Sequence, residues 1–207
     1  MKKPLLFVLF VTFSYQLLAQ TFVGASSSPA DNGSQAGTTA TVTPPASIAT
    51  GDLVIIYAHS TANSSPAISA TGGQTWNTEA SVSGNGGSNQ SFAVFWCRFN
   101  GTWSTNPSVT GGTASDPLSA IMYVYRPTNS NNLWGIHIGA TNSSANASSV
   151  SISSGATATT VPNTVTMAFW GSPAANTWTS LTNTSEWSKT GLTAQYRNTA
   201  GSDQSHT

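Results

Sequence analysis

Apolar residues in this chain come in short runs bounded by glycine, proline, asparagine and serine, and no run spaces them at three and four residues between a cap and a stop. That punctuation predicts strands throughout and no helix. The clearest run is Leu53-Val54-Ile55-Ile56-Tyr57-Ala58-His59, which opens after Gly51-Asp52 and reads as a central strand buried on both faces. Ser91 to Phe99 and Pro117 to Pro127 are the next two strong strands. Weaker ones are expected at Thr21 to Ala25, Thr39 to Thr43, around Ile68, Gln74 to Ser81, around Val109, Leu133 to Ala140 and Ser148 to Ser153. Val165 to Trp170 and Leu192 to Tyr196 follow near the end. In Thr39-Ala40-Thr41-Val42-Thr43 the threonines share one face, and Pro44-Pro45 ends the run, so an edge strand with an exposed threonine face is predicted. The pattern as a whole is that of an all-β, antiparallel, jelly-roll-like β-sandwich.

A faint internal repeat adds to this reading. The lead from Pro45 into Leu53–Tyr57 is echoed by Val161 to Trp170, each followed by a tryptophan (Trp76, Trp187) and then by an aromatic beside arginine, in Trp96-Cys97-Arg98 and Tyr196-Arg197. The first half continues into the strand Leu118 to Tyr125, and no comparable apolar run follows Tyr196. The expectation is a sandwich lacking its last strand, either as a truncated product or as a protomer completed by self-association or by strand addition from another chain, because an unpaired sheet edge invites pairing.

The first residues have a different pattern. Lys2 and Lys3 precede an apolar stretch from Leu5 to Leu18 and a small-residue site ending at Ala19, which reads as a signal peptide over 1–19. That stretch is shorter than the ~20 residues needed to span a bilayer. Residues 20–207 are then expected to form a single β-sandwich domain, secreted or held at the cell surface without a membrane span.

Removing 1–19 also removes two of the six basic side chains and leaves six acidic ones, a formal charge of −2. Clustered Lys and Arg are what phosphate backbones require, so a nucleic-acid partner is not expected. Only 6% of residues are charged, yet 10% are aromatic, which argues for a packed domain with a neutral surface. Cys97 stands alone within an apolar run and is expected as a buried thiol outside any disulfide.

Phe22-Val23-Gly24-Ala25, the lead from Pro45 to Gly51 into Asp52-Leu53-Val54, Val94-Phe95-Trp96-Cys97-Arg98 and Tyr125-Arg126-Pro127 occur in an order that resembles uncharacterised jelly-roll modules of tailed-phage virion proteins and bacterial exported proteins. The resemblance runs over most of residues 20–207. It implies the fold and an extracellular or virion setting, and it carries no catalytic residues.

Candidate chemistry is sparse. The acids Asp31, Asp52, Glu79, Asp116, Glu186 and Asp203 share no short spacing suited to a carboxylate pair, and Asp52 and Asp116 read as turn and strand-start residues. His59, His137 and His206 lie far apart without Cys or acidic partners at ligand spacing, so neither a zinc site nor any cofactor is expected. The tryptophans offer more. Trp103, Trp134 and Trp178 sit in polar, loop-like surroundings beside Asn132 and Asn176, the mixture with which β-sandwiches stack on sugars, although the same rings can simply cap the end of a sandwich. Trp96 and Trp170 lie in apolar runs and read as core. The functional expectation is a non-enzymatic module for surface interaction or assembly. The alternatives are a carbohydrate-binding module using Trp103, Trp134, Trp178, Asn132 and Asn176, with a polysaccharide as partner, and, with least support, a hydrolase.

Overall fold

The computed structural model describes residues 20–28, 38–60, 65–69, 71–83, 91–111, 118–128, 134, 168–170 and 204–206. Among them there is no helix, and the strands are β1 (Gln20–Ser28), β2 (Thr39–Thr41), β3 (Leu53–Ser60), β4 (Ala67–Ile68), β5 (Asn77–Ser83), β6 (Ser91–Arg98), β7 (Ser108–Thr110), β8 (Leu118–Pro127), β9 (Ala168–Trp170) and β10 (Gln204–His206). All pairings are antiparallel. A five-stranded sheet runs in the order β1-β8-β3-β6-β5 and a three-stranded sheet in the order β2-β7-β4. From β1 to β8, every connection except β5 to β6 crosses from one sheet to the other, which is the winding of a jelly roll.

The run predicted to be central is central: β3 lies between β8 and β6. Strand periodicity then sorts its side chains by parity. Val54, Ile56 and Ala58 are level with Cys97, Phe95 and Ala93 on β6 and with Val124, Met122 and Ala120 on β8. These residues form one buried layer together with Leu118, and Ala40, Val42 and Val109 close it from the small-sheet side. Burying an aliphatic side chain of this size contributes about 1.5–3 kcal/mol, so this layer is the main source of stability.

The odd positions build a second, smaller cluster on the opposite face. Leu53, Ile121, Tyr123 and Tyr125 are buried there, with Phe22, Ala25, Ile55, Trp96 and Trp134 packed around them. Because β8 is covered on both sides, it is buried from Leu118 through Tyr125. β6, one strand further out, alternates buried and half-buried residues and ends in exposed Arg98. Trp96 is therefore a half-buried residue of the outer face, not a residue of the inter-sheet layer.

Turns hold these layers in register. Asp52 accepts a hydrogen bond from the Ala49 amide on Oδ2 at 2.8 Å and donates its own amide to the Ala49 carbonyl at 3.0 Å. Its carboxylate receives Arg126 Nε at 2.9 Å and Nη2 at 2.8 Å, and the same Nη2 reaches the Ser47 carbonyl at 2.6 Å. The end of β8 is thereby clamped to the loop that starts β3. On β1 the register shifts between Phe22 and Gly24, and a Cβ at Gly24 would lie 2.9 Å from Pro45 Cγ, so only glycine lets the Pro45 loop come this close.

β2 has the expected edge geometry, with Thr39 and Thr41 exposed and Ala40 buried. β9 pairs with β10, which lies beyond Tyr196, where the sequence predicts no further strand. Gln204-Ser205-His206 has no apolar periodicity to signal it; its pairing is by backbone hydrogen bonds, which composition does not report. The strands expected at Ser148 to Ser153 and Leu192 to Tyr196, the signal-peptide segment and all of Leu133 to Ala140 except Trp134 lie outside the described residues. No helix among the described residues is long and apolar enough to cross a membrane.

Candidate functional site

The site begins at a tight turn before β5. Gly72 and Gly73 have φ of +52° and +69°, conformations open to glycine at little cost, and the Gln74 amide closes the turn on the Thr71 carbonyl at 2.8 Å. Gly72 is also pressed against the chain after β6. A Cβ there would lie 2.3 Å from the Thr102 carbonyl oxygen, and the Gly72 carbonyl accepts hydrogen bonds from Asn100 Nδ2 at 2.9 Å and Thr102 Oγ1 at 2.6 Å.

This turn delivers Gln74 to the corner where β5 and β6 meet. Its Oε1 accepts from the Asn100 amide at 2.9 Å and from Trp103 Nε1 at 3.1 Å. Its Nε2 donates to the Arg98 carbonyl at 3.0 Å and the Thr75 carbonyl at 3.2 Å. With every donor and acceptor engaged, Gln74 is a fixed wall. Next to it, Asn77 stands level with Trp96, and its Nδ2 reaches the Trp96 carbonyl at 3.4 Å.

Gln74, Thr75, Asn77, Trp96 and Arg98 line an open pocket of about 310 Å³. Its polar groups are of two kinds. Gln74 is used up by the fold, whereas the Thr75 hydroxyl, Asn77 Oδ1 and Arg98 Nε and Nη1 have no hydrogen-bond partner among the described residues. Arg98 is steadied by Nη2 donating to the Trp134 carbonyl. Of the described arginines, Arg126 is neutralised by Asp52, and Arg98 has no carboxylate beside it among the described residues. The arrangement can present one aromatic ring, one cation, a hydroxyl and an amide oxygen to a small solute.

Of the candidate site residues singled out in the sequence, Trp103 and Trp134 fall among the described residues. Trp103 is half-buried, with its ring 5.6 Å from Trp76 and 4.7 Å from Phe99, and its indole N–H is committed to Gln74, so it packs as a cap over the inter-sheet layer. Trp134 packs on the outer-face cluster and its carbonyl holds Arg98; its indole nitrogen is buried with no hydrogen-bond partner among the described residues. Trp178, Asn132 and Asn176 lie outside the described residues. The pocket residues that the sequence reading missed are Gln74, Thr75, Asn77, Trp96 and Arg98. The alternation through Phe92, Val94, Trp96 and Arg98 signals that these side chains share one face, but not that β5 stops short enough to leave a hollow beside them.

Other reactive groups belong to the fold. Cys97 is fully buried in the inter-sheet layer, and burial pushes its thiol pKa upward, as expected for an inert thiol. Asp52 is held in its turn and ion pair, and His59 is buried at the end of β3. Among the described residues, no group of three or more His, Cys, Asp and Glu side chains is gathered where a metal ion would sit. Compared with known protein families, curated proteins and solved structures, the chain matches none.

Proposed function

We propose that this chain is an exported, non-enzymatic β-sandwich module that acts through surface interaction or assembly. The observation that carries the reading is the pocket at the β5–β6 corner, lined by an indole, an amide and a guanidinium. Binding sites of this kind need only a preformed hollow with a few well-placed polar groups. The Asp52–Arg126 clamp supports a structural use of the buried Asp52 carboxylate. Assembly has its own route along the edges of the five-stranded sheet, where β1 and β5 are the outermost described strands and another chain can add.

Carbohydrate recognition is the second reading, favoured by the same pocket because an indole beside neutral hydroxyl and amide groups suits the apolar face and the hydroxyls of a pyranose. It moves the candidate stacking ring from the loop tryptophans to Trp96. The test is retention of the purified protein on a panel of polysaccharides and intact cell surfaces, together with its mass in solution by light scattering. Retention on at least one surface, or a discrete oligomer, is the expected result. A monomer retained on none of them sinks the proposal.

A further inference from the structure

We infer that the β5–β6 pocket takes a carboxylated sugar, a uronic acid residue of an acidic polysaccharide, with Trp96 beneath the ring and Arg98 on the carboxylate. The inference rests on the interaction reading above and specifies its ligand. Arg98 carries the first part of the argument. It is exposed, it has no acidic neighbour among the described residues, and its fork keeps Nε and Nη1 unbonded while Nη2 is anchored on the Trp134 carbonyl. A guanidinium held through one Nη2 hydrogen keeps its second Nη2 hydrogen parallel to an N–H of Nε or of Nη1, and a carboxylate is bound by such a pair of parallel N–H donors.

The remaining lining determines what carries that carboxylate. Trp96 supplies an indole in the same hollow, and the Thr75 hydroxyl and Asn77 Oδ1 supply an open donor and acceptor at its rim. Together these match a ring with one apolar face, hydroxyl substituents and a single acid group. An acidic peptide is the competing ligand, and the backbone argues against it. The Trp96 carbonyl is taken by Asn77 Nδ2, and the Arg98 carbonyl by Gln74 Nε2. An extended peptide lying along this end of β6 would therefore find those main-chain acceptors occupied. The volume of about 310 Å³ also lies at the small end of ligand pockets.

The experiment is isothermal titration of the purified protein with short oligogalacturonates and oligoglucuronates, with uncharged galactose and glucose oligomers of equal length, and with an oligoglutamate peptide. At low salt the uronates are expected to bind about tenfold or more tightly than their neutral counterparts, a preference that shrinks as salt rises. Arg98→Gln should abolish the preference, bringing uronate binding down to that of the neutral sugars on the same variant. Trp96→Phe should weaken both sugar classes, with an unchanged circular dichroism spectrum confirming the fold. Equal binding of charged and neutral sugars, a preference that survives Arg98→Gln, or peptide binding as tight as uronate binding would each overturn the inference. Retention on a neutral polysaccharide with no uronate binding overturns it too, while the proposed interaction role stands. Loss of all binding and all assembly removes that role itself.

Discussion

At the scale of single residues, the stability of this fold depends on a few buried polar groups that must keep their partners. Asp52 has a side chain only 2% exposed, whereas that of Arg126 is 42% exposed, so the pair is lopsided. Removing the arginine strands a buried carboxylate; removing the acid frees a guanidinium that water already reaches. Arg126→Met is therefore expected to cost about 2–3 kcal/mol in urea unfolding at neutral pH, somewhat less than for a fully buried pair because solvent screens the exposed partner. The hydrogen bond to Asp52 raises the Arg126 pKa, so the arginine's share of this contribution is lost as pH rises beyond the usual arginine range. Cys97 gives a pH effect within easier reach. Burial lifts its thiol above the usual 9.0, so the unfolded chain ionises first, and stability present below that value is lost as pH rises toward the folded pKa. Thermal melts between pH 8 and 10.5 should show the wild type losing about 1.4 kcal/mol per pH unit above ~9 relative to Cys97→Ala. A parallel decline in both proteins would show that the thiol is not the group responsible.

At the scale of elements, the corner where the start of β5 lies beside the end of β6 combines structural and candidate functional roles. The Gly72-Gly73 turn places Gln74, and Gln74 in turn fixes Trp103 on one side and the Arg98 backbone on the other. Gly72→Ala would force a left-handed alanine into the Thr102 carbonyl. It should destabilise the protein by about 1–3 kcal/mol in chemical unfolding, from the strained conformation and the displaced loop together. β3 makes the contrasting case, since its side chains carry packing and not polar geometry. Ile56 is fully buried between Phe95 and Met122 in the ladder, and Ile56→Ala should cost about 2–5 kcal/mol through lost transfer energy and a residual cavity. A loss below 1 kcal/mol would mean that the inter-sheet layer collapses around the gap.

For the whole molecule, sheet order predicts how the fold opens. β3 has a hydrogen-bonded neighbour on each side and buried faces, so the amides of Val54, Ile56 and Ala58 should exchange with solvent only on global unfolding. Amides of β5, at the end of the sheet, should exchange faster, and hydrogen exchange read by mass spectrometry or NMR checks the ranking; equal protection in both strands would contradict it. The identity of the central strands was legible because burial on both faces demands continuous β-branched and aromatic runs, as in Leu53 to Tyr57 and Leu118 to Tyr125. The exposed threonines of β2 and the buried Cys97 were legible for the same reason, since each follows from local alternation. Sequence by itself thus determined the all-β class, the central strand, the threonine edge and the inert thiol, all consequences of a two-residue period and of hydrophobic burial. The tertiary structure alone decided that β5 pairs with β6, that Trp96 belongs to the outer face, that Trp103 caps the core, and that Gln74, Asn77, Trp96 and Arg98 share one hollow. Those facts depend on which strands become neighbours, and neighbour choice is set by the closure of the whole sandwich, which no local pattern encodes.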